Sequence, residues 1–138
     1  MTISPLLQKI DSIRVPVPDI DTGLAFYRDQ LGHVLIWRLD HGAGLRMPGS
    51  NAELVLVPQG DDLQVNFQVA SADAAAERFA ESGGKVLVQP FSTINGRAAV
   101  VQDPFGNVYA LRDDRLGELI TDEEGTVLGT EAGENSGA

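Results

Sequence analysis

Few residues in this sequence have the type and spacing that catalysis needs. The chain has no cysteine, which excludes a thiolate nucleophile, a disulfide framework and a cysteine metal site. Its two histidines, His33 and His41, lie after a glycine and in an Asp-His-Gly turn, without the spacing of a metal-binding pair. The sequence also lacks a nucleotide-binding glycine loop and a Gly-x-Ser-x-Gly elbow. Nucleotide binding and acyl transfer therefore have no sequence motif here.

Glu53 is a candidate general base that needs no such motif. It begins the apolar run Glu-Leu-Val-Leu-Val, and a carboxyl group against an apolar wall has a raised pKa that suits proton transfer. Arg38 and Arg46 could hold a carboxylate or phosphate in bidentate fashion, although most arginines in such strands are solvated. Trp37 could stack on a ligand, but core packing or a dimer contact is the favoured alternative. Only a folded sheet would bring these residues together.

The first half of the sequence predicts a βαβββ unit. Residues 12–17 alternate in polarity, which is typical of a half-buried strand. A helix follows Pro18, capped by Asp19 or Asp21 and ended by Gly32. Turn signals then separate three apolar stretches, at about 34–39, 44–48 and 52–57.

The second half repeats this arrangement. A shift of 52 residues superimposes strand faces, an aromatic position and a helix-ending glycine: Ile13 on Val65, Val15 on Phe67, Tyr27 on Phe79 and Gly32 on Gly84. A strand over 64–70 and a helix over 72–82 are predicted, followed by strands near 85–89, 97–102 and 108–112. A tandem βαβββ repeat is the economical interpretation.

Three segments carry a family resemblance. RVPVPDIDTGLAFYRDQLG, VASADAAAERFAESGGKV and VVQDPFGNVYALRD resemble the two strand–helix openings and the closing hairpin of the vicinal-oxygen-chelate superfamily of glyoxalases, bleomycin resistance proteins and extradiol dioxygenases. The resemblance covers residues 10–112. It implies an α+β fold in which two tandem βαβββ modules form a curved, mostly antiparallel sheet around a concave pocket, with helices on the convex face. We expect one domain over 1–112, with module one at about 10–58 and module two at about 64–112.

The resemblance also implies where metal-dependent relatives place their ligands. Those positions correspond here to Ser12, Glu53, Gln64 and Ala110. A catalytic divalent ion needs at least three converging nitrogen or oxygen donors, but Ala110 supplies none, a serine hydroxyl is a poor ligand and Gln64 is a weak neutral one. We therefore expect no metal and no other cofactor, with Glu53 as the remaining anionic group.

Strand alternation assigns the residues of the two sheet faces. The apolar set should face the helices: Ile13, Val15, Val17, Leu54, Leu56, Val65, Phe67, Val69, Tyr109 and Leu111. The opposite set should share the concave face and bind a ligand, with Trp37 as a further candidate: Ser12, Arg14, Glu53, Val55, Gln64, Asn66, Gln68, Ala110 and Arg112. Alternation alone favours a sheet face that simply meets solvent. The resemblance reverses this preference and favours the pocket.

Charge is unevenly distributed along the chain. The net charge is −10, and residues 113–138 hold eight acidic residues against one arginine, so most of the acidity lies outside the predicted site. We expect this segment to be a flexible, solvating tail. An acidic chain without a basic stripe disfavours nucleic acid and anionic membranes as partners. With no signal sequence or apolar span evident, cytoplasmic residence is expected.

Taken together, these features predict a metal-free small-molecule-binding protein that forms a homodimer and sequesters a drug or metabolite. The alternative is a lyase, isomerase or dioxygenase acting through a divalent metal or through Glu53 as general base. A third possibility is a small regulatory domain without a ligand.

Overall fold

The computed structural model describes residues 4–60, 62–131 and 133–134, and its first half folds as one βαβββ module. The Asp19 carboxylate caps the helix, because its Oδ1 accepts a hydrogen bond from the Thr22 backbone N–H at 2.7 Å. Gly32 ends the helical stretch with a φ of +85°. The module contains β1 (Lys9–Val17), α1 (Ile20–Leu24), a π-helical segment (Ala25–Gln30), β2 (Leu35–Leu39), β3 (Gly42–Arg46) and β4 (Glu53–Pro58).

The second module has the same order of elements: β5 (Gln64–Gln68), α2 (Ala72–Glu81), β6 (Lys85–Ser92), β7 (Arg97–Gln102) and β8 (Val108–Arg112). Ser71 caps α2 through a hydrogen bond of 3.2 Å from the Ala74 N–H to its Oγ. The repeat predicts Gly84 as the helix-ending glycine, but the positive φ falls one residue earlier, on Gly83. Gly84 is needed for close packing instead, since a Cβ there would meet the Phe79 ring.

Both modules contribute to one eight-stranded sheet with the order β2-β3-β4-β1-β5-β8-β7-β6. The pairs β1–β4 and β5–β8 are parallel, one in each module, and the other pairs are antiparallel. The predicted α+β fold, with two tandem βαβββ modules in a curved sheet, is confirmed.

The core lies between this sheet and the helices. Each module has its own cluster, and together the clusters contain the apolar faces predicted from alternation apart from Ile13 and Val65. Leu24 and Leu45 are 1% and 0% exposed in the first cluster, and Val101 and Leu111 are 0% exposed in the second. Burying one such side chain contributes roughly 1.5–3 kcal/mol to stability. Because the helices cover this face, the polar set lies on the other, concave face.

Asp113, directly after β8, ties the second module together. Its Oδ2 accepts hydrogen bonds from the Ala72 N–H and the Arg115 guanidinium, both at 2.7 Å, and its Oδ1 accepts one from the Arg97 N–H at 3.0 Å. The side chain is 2% exposed. Burial alone would raise the pKa of Asp113, but the hydrogen bonds outweigh it and lower the pKa to about 2.

The described part of residues 113–138, which the sequence predicts as a flexible tail, contains three short strands. Here β9 (Leu119–Thr121), β10 (Val127–Thr130) and β11 (Gly133–Glu134) form a small antiparallel sheet. The Arg38 N–H of β2 donates to the Gly125 carbonyl at 2.6 Å, which docks this sheet on the first module. Gly117 and Gly125 have positive φ, which allows the tight turns next to these short strands. Residues 132 and 135–138 lie outside the described residues.

Candidate functional site

A row of four residues crosses the middle of the concave face. In the strand register Glu53 of β4 pairs with Ser12 of β1, Ser12 pairs with Asn66 of β5, and Asn66 pairs with Ala110 of β8. Neighbouring strands lie about 4.8 Å apart, so these four side chains project from adjacent points of one surface. Three of the four positions predicted to correspond to metal ligands therefore do lie together.

Gln64, the fourth predicted position, lies one pair further along. It is opposite Arg14, whereas Asn66 occupies the place next to Ser12. The pairs Ser12–Asn66 and Arg14–Gln64 lie on either side of the pair Ile13–Val65, so the 52-residue shift relates them and the strand register agrees with the repeat. The rest of the predicted face follows the register, with Gln68 opposite Arg112.

Glu53 and Trp37 are joined by a direct contact. The Trp37 indole Nε1–H donates to Glu53 Oε1 at 2.6 Å. The indole ring lies over Gly42 and Gly44, and a Cβ at Gly44 would meet the indole nitrogen. Glycine at that position therefore lets the Trp37 side chain of β2 lie across β3 and reach Glu53 on β4. The prediction that favoured core packing or a dimer contact for Trp37 did not foresee this bond.

The environment of Glu53 favours its neutral form. Burial is the largest effect and raises the pKa of the Glu53 carboxyl, while the hydrogen bond from Trp37 lowers it. Asp11 and Glu118 raise the pKa further by charge repulsion, and Arg112 lowers it. The net shift is upward. A half-buried carboxyl with a raised pKa can accept a hydrogen bond or a proton from a bound molecule.

Ser12 and Asn66 form a polar pair beside Glu53. Both are 2% exposed. Asn66 Nδ2 donates to Ser12 Oγ at 2.9 Å, and Ser12 Oγ donates to Asp11 Oδ2 at 2.9 Å. Asn66 Oδ1 and Glu53 Oε2 accept no hydrogen bond from the described residues. These two oxygens are available to a bound molecule.

The outer polar residues of the face are held more loosely. Arg112 Nη2 donates to Asn95 Oδ1 at 3.3 Å, and Gln68 Nε2 donates to Asp114 Oδ1 at 3.4 Å. Arg38 forms a 2.7 Å ion pair with Asp21, so it is a surface bridge and not a site residue. Sequence reasoning missed Asp11, Asn95 and Glu118 because their part in the site depends on tertiary contacts with no sequence signal.

A surface cavity of about 620 Å³ lies beside this row and does not include Glu53. Its walls are β2 residues and the turn of the C-terminal sheet, together with Arg28 and Arg46. His33 Nδ1 lies 3.0 Å from the Arg46 carbonyl oxygen, which accounts for His33 as a structural residue. We place the site at the Glu53 row because the carboxyl with the raised pKa lies there, beside acceptor oxygens that no described residue bonds.

A sheet built from paired βαβββ modules, with its polar residues on the concave side, defines a vicinal-oxygen-chelate protein. The chain belongs to the Glyoxalase/Bleomycin resistance protein/Dioxygenase superfamily, which matches residues 9–111. The resemblance predicted from sequence is thereby confirmed. No curated protein sequence matches the chain.

Solved structures of the same fold include methylmalonyl-CoA epimerase from Mycobacterium tuberculosis, with a TM-score of 0.69 and 22% identity over 82% of this chain and 92% of that one. A hypothetical protein from Bacillus halodurans C-125 gives 0.68 at 18% identity, over 83% and 98%. A variant of Streptomyces coelicolor methylmalonyl-CoA epimerase with bound 2-nitronate-propionyl-CoA gives 0.66 at 22% identity, over 78% and 98%. Likenesses at this identity show the fold alone.

The row does not fit the divalent metal of the superfamily's metal-dependent members. Such an ion needs three or more converging donors. Ala110 offers no donor atom, and Ser12 Oγ is already engaged on both sides by Asn66 and Asp11. Among residues 4–60, 62–131 and 133–134, no three His, Cys, Asp or Glu side chains converge. Glu53 is left as the single carboxylate of the row, which is too few donors for such an ion.

Proposed function

We propose that the protein binds a small organic molecule on its concave face without a metal ion and sequesters a drug or metabolite. The hydrogen bond between Trp37 and Glu53 carries this proposal, because it fixes a half-buried carboxyl group beside an aromatic ring. A few polar groups among apolar neighbours is the usual composition of a small-molecule site. Asn66, Gln68 and Arg112 supply such groups here, while Ala110 and Val55 leave apolar space.

A thermal-shift screen of drug-like and metabolite compounds, run with a chelator present, tests the proposal. A ligand that binds the folded state raises the unfolding temperature. Hits should stabilise the wild-type protein and lose most of their effect on Glu53→Gln and Trp37→Phe. Glu81→Gln, an equal change of charge at the exposed end of α2, is the matched control. A screen without hits, or hits that respond only after divalent metal is added, would contradict metal-free binding.

An enzymatic alternative is favoured by the raised pKa of Glu53. Epimerases occur among the structural neighbours, and a carboxyl group open on one oxygen could act as a general base in an isomerase or lyase. In that case a compound found in the screen would be converted, and Glu53→Gln would abolish conversion while leaving part of the binding. Product analysis by mass spectrometry or chiral chromatography separates the two functions.

Homodimerisation and cytoplasmic residence are also part of the proposal. The edge strand β6 carries exposed apolar side chains at Leu87, Val88 and Phe91, which offer a surface for a second copy. Light scattering should give twice the chain mass for the wild type and a lower mass for Phe91→Ser. No helix in the described residues is long and apolar enough to cross a membrane. Cell fractionation checks the compartment.

A further inference from the structure

The surface cavity of about 620 Å³ has no part in the proposed function, because Glu53 does not line it. One wall belongs to the first module and the other to residues 121–125, the turn of the C-terminal sheet. The family match ends at residue 111, so the second wall lies outside the matched region. Small-molecule sites have volumes of roughly 300–1,000 Å³. The cavity is therefore large enough for a ligand of its own.

The wall from the first module carries two guanidinium groups. Arg28 belongs to the π-helical segment, and Arg46 ends β3. Arg46 is opposite Glu53 in the strand register, but no ion pair joins them, and its exposed side chain has no hydrogen-bond partner among the described residues. Arg28 Nε and Nη2 donate to Asp29 at 2.9 and 3.4 Å, which leaves Nη1 unused. Guanidinium groups with unused N–H donors suit a carboxylate.

The facing wall carries acidic side chains at three successive positions, Asp122, Glu123 and Glu124. Asp122 Oδ1 accepts the backbone N–H groups of Glu124 and Thr126, both at 2.9 Å, so Asp122 shapes the turn. Glu123 and Glu124 are exposed, and their carboxylates bond to none of the described residues. The Gly125 carbonyl is fixed by a backbone hydrogen bond from β2. The turn therefore presents two unused carboxylates, which suit an ammonium group.

The charges of the two walls do not pair with each other. In the part of the chain that the structure describes, no ion pair joins Arg28 or Arg46 to the acidic turn. Leu35 and Ile36 of β2 also line the cavity and supply apolar surface. A purely anionic ligand would be repelled by the turn, and a purely cationic one by the arginines. The complementary ligand carries both charges, separated by an apolar segment.

We propose that this cavity is a second binding site, selective for a zwitterion in which a carbon chain separates a carboxylate from an ammonium group. The carboxylate binds Arg28 and Arg46. The ammonium group binds Glu123 and Glu124, and the carbon chain lies on the apolar side chains of β2. The inference goes beyond the proposed function, because it assigns a ligand class to a cavity that excludes Glu53.

Three probes that share an unbranched six-carbon chain test the inference: 6-aminohexanoate, hexanoate and hexylammonium. Titration of the ¹⁵N-labelled protein, followed by NMR, gives both the affinity and the location of binding. We expect 6-aminohexanoate to bind about fivefold more tightly than either probe of single charge, since one more exposed ion pair contributes up to about that much. The amide signals of residues 121–125 and Arg46 should shift, and high salt should weaken binding.

Variants of the two walls should have opposite selectivity. Arg46→Gln should weaken 6-aminohexanoate and hexanoate about fivefold without weakening hexylammonium. The double variant Glu123→Gln/Glu124→Gln should weaken 6-aminohexanoate and hexylammonium by a similar factor without weakening hexanoate. Both variants change exposed side chains, so their thermal unfolding should match that of the wild type, which shows that the cavity walls remain folded.

The control variants make the same charge changes at exposed positions of the second module. Lys85→Gln matches the arginine variant, and Glu77→Gln/Glu81→Gln matches the acidic one; both should bind all three probes as the wild type does. Glu53→Gln should leave 6-aminohexanoate binding unchanged, which separates the cavity from the concave site. Equal affinity for the three probes, shifts that leave out residues 121–125, or controls as weak as the wall variants would overturn the inference. Failure of every probe also overturns it, whereas the compound screen decides the proposed function separately.

Discussion

Two buried carboxyl groups, Glu53 in the first module and Asp113 at the end of the second, have opposite environments. Asp113 accepts hydrogen bonds from an arginine and from backbone N–H groups, and its pKa is lowered to about 2. Glu53 accepts one hydrogen bond from a neutral indole, and its pKa is raised. The difference indicates that Asp113 is saturated by the fold and stabilises it, whereas Glu53 keeps bonding capacity for a ligand.

The two modules also differ in the residues that they contribute to the concave face. In the row, the first module contributes Glu53 and Ser12, and the second contributes Asn66, Ala110 and, one strand further, Val100. The polar groups of the row are therefore concentrated at Glu53, Ser12 and Asn66.

Asp113→Ala should have the largest effect, a loss of about 3 kcal/mol in the free energy of unfolding. The substitution leaves the Ala72 and Arg97 N–H groups without an acceptor and removes the partner of Arg115. Urea denaturation measures it. Asp114→Ala, at the exposed next residue, should change stability by less than about 0.5 kcal/mol. Equal effects of the two substitutions would show that the Asp113 network is not structural.

Acidification should cost about 2 kcal/mol through Asp113 alone. Its folded pKa of about 2 is below the ordinary value of 3.8, so the stabilisation is complete above pH 3.8 and disappears as the pH falls toward 2. Denaturation of wild type and Asp113→Asn across this range isolates the contribution. The stability difference between them should shrink with falling pH, and a constant difference would contradict the assignment.

Gly44→Ala should destabilise the protein by about 1–2 kcal/mol, because the added methyl group occupies the space of the Trp37 ring. Displacement of the ring breaks the bond to Glu53, which near-ultraviolet circular dichroism and Trp37 emission report. Gly49→Ala is the control, since a Cβ there meets nothing within 4 Å. An unchanged Trp37 spectrum in Gly44→Ala would show that the ring is not held over β3.

Glu53→Gln should have the smallest effect on stability, and of opposite sign. Because the folded pKa is raised above its ordinary value of 4.5, ionisation opposes folding, and stability falls as the pH rises through the folded pKa. The amide avoids this cost, so Glu53→Gln should be up to about 1 kcal/mol more stable than the wild type at neutral pH. The advantage should vanish at mildly acidic pH. If Glu53→Gln were less stable than the wild type at neutral pH, Glu53 would be a structural group like Asp113.

The fold can be predicted from the sequence because strands and helices leave regular patterns of polar and apolar residues. Alternation along 12–17 and 64–70 and glycines after each helix are local signals that survive in the structure. The resemblance assigns Ser12, Glu53 and Ala110 to the positions of the relatives' metal ligands, and in the structure they lie in one row together with Asn66. Strand pairing follows from these local features and from the order of elements.

The remaining features depend on contacts that periodicity does not encode. Asn66 and not Gln64 pairs with Ser12 because β1 and β5 are antiparallel, so only Ile13 and Val65 pair with their own counterparts in the other module. The hydrogen bond from Trp37 to Glu53 depends on the absence of a side chain at Gly44, where the indole ring lies. Residues 113–138 are expected to be flexible from their acidic, glycine-rich composition, and the backbone hydrogen bonds that join Leu116 to Asn95 and Gly125 to Arg38 have no sequence signal.

The central claim is that Glu53, and not a metal ion, holds the ligand. Isothermal titration calorimetry with the strongest compound from the screen tests it most directly, using wild type and Glu53→Gln, each with a chelator and then with added Zn²⁺ or Ni²⁺. The account predicts that wild-type affinity is the same with chelator and with metal, and that Glu53→Gln loses about tenfold or more in both conditions. Binding that appears only with metal, or that is unaffected by Glu53→Gln, would contradict it.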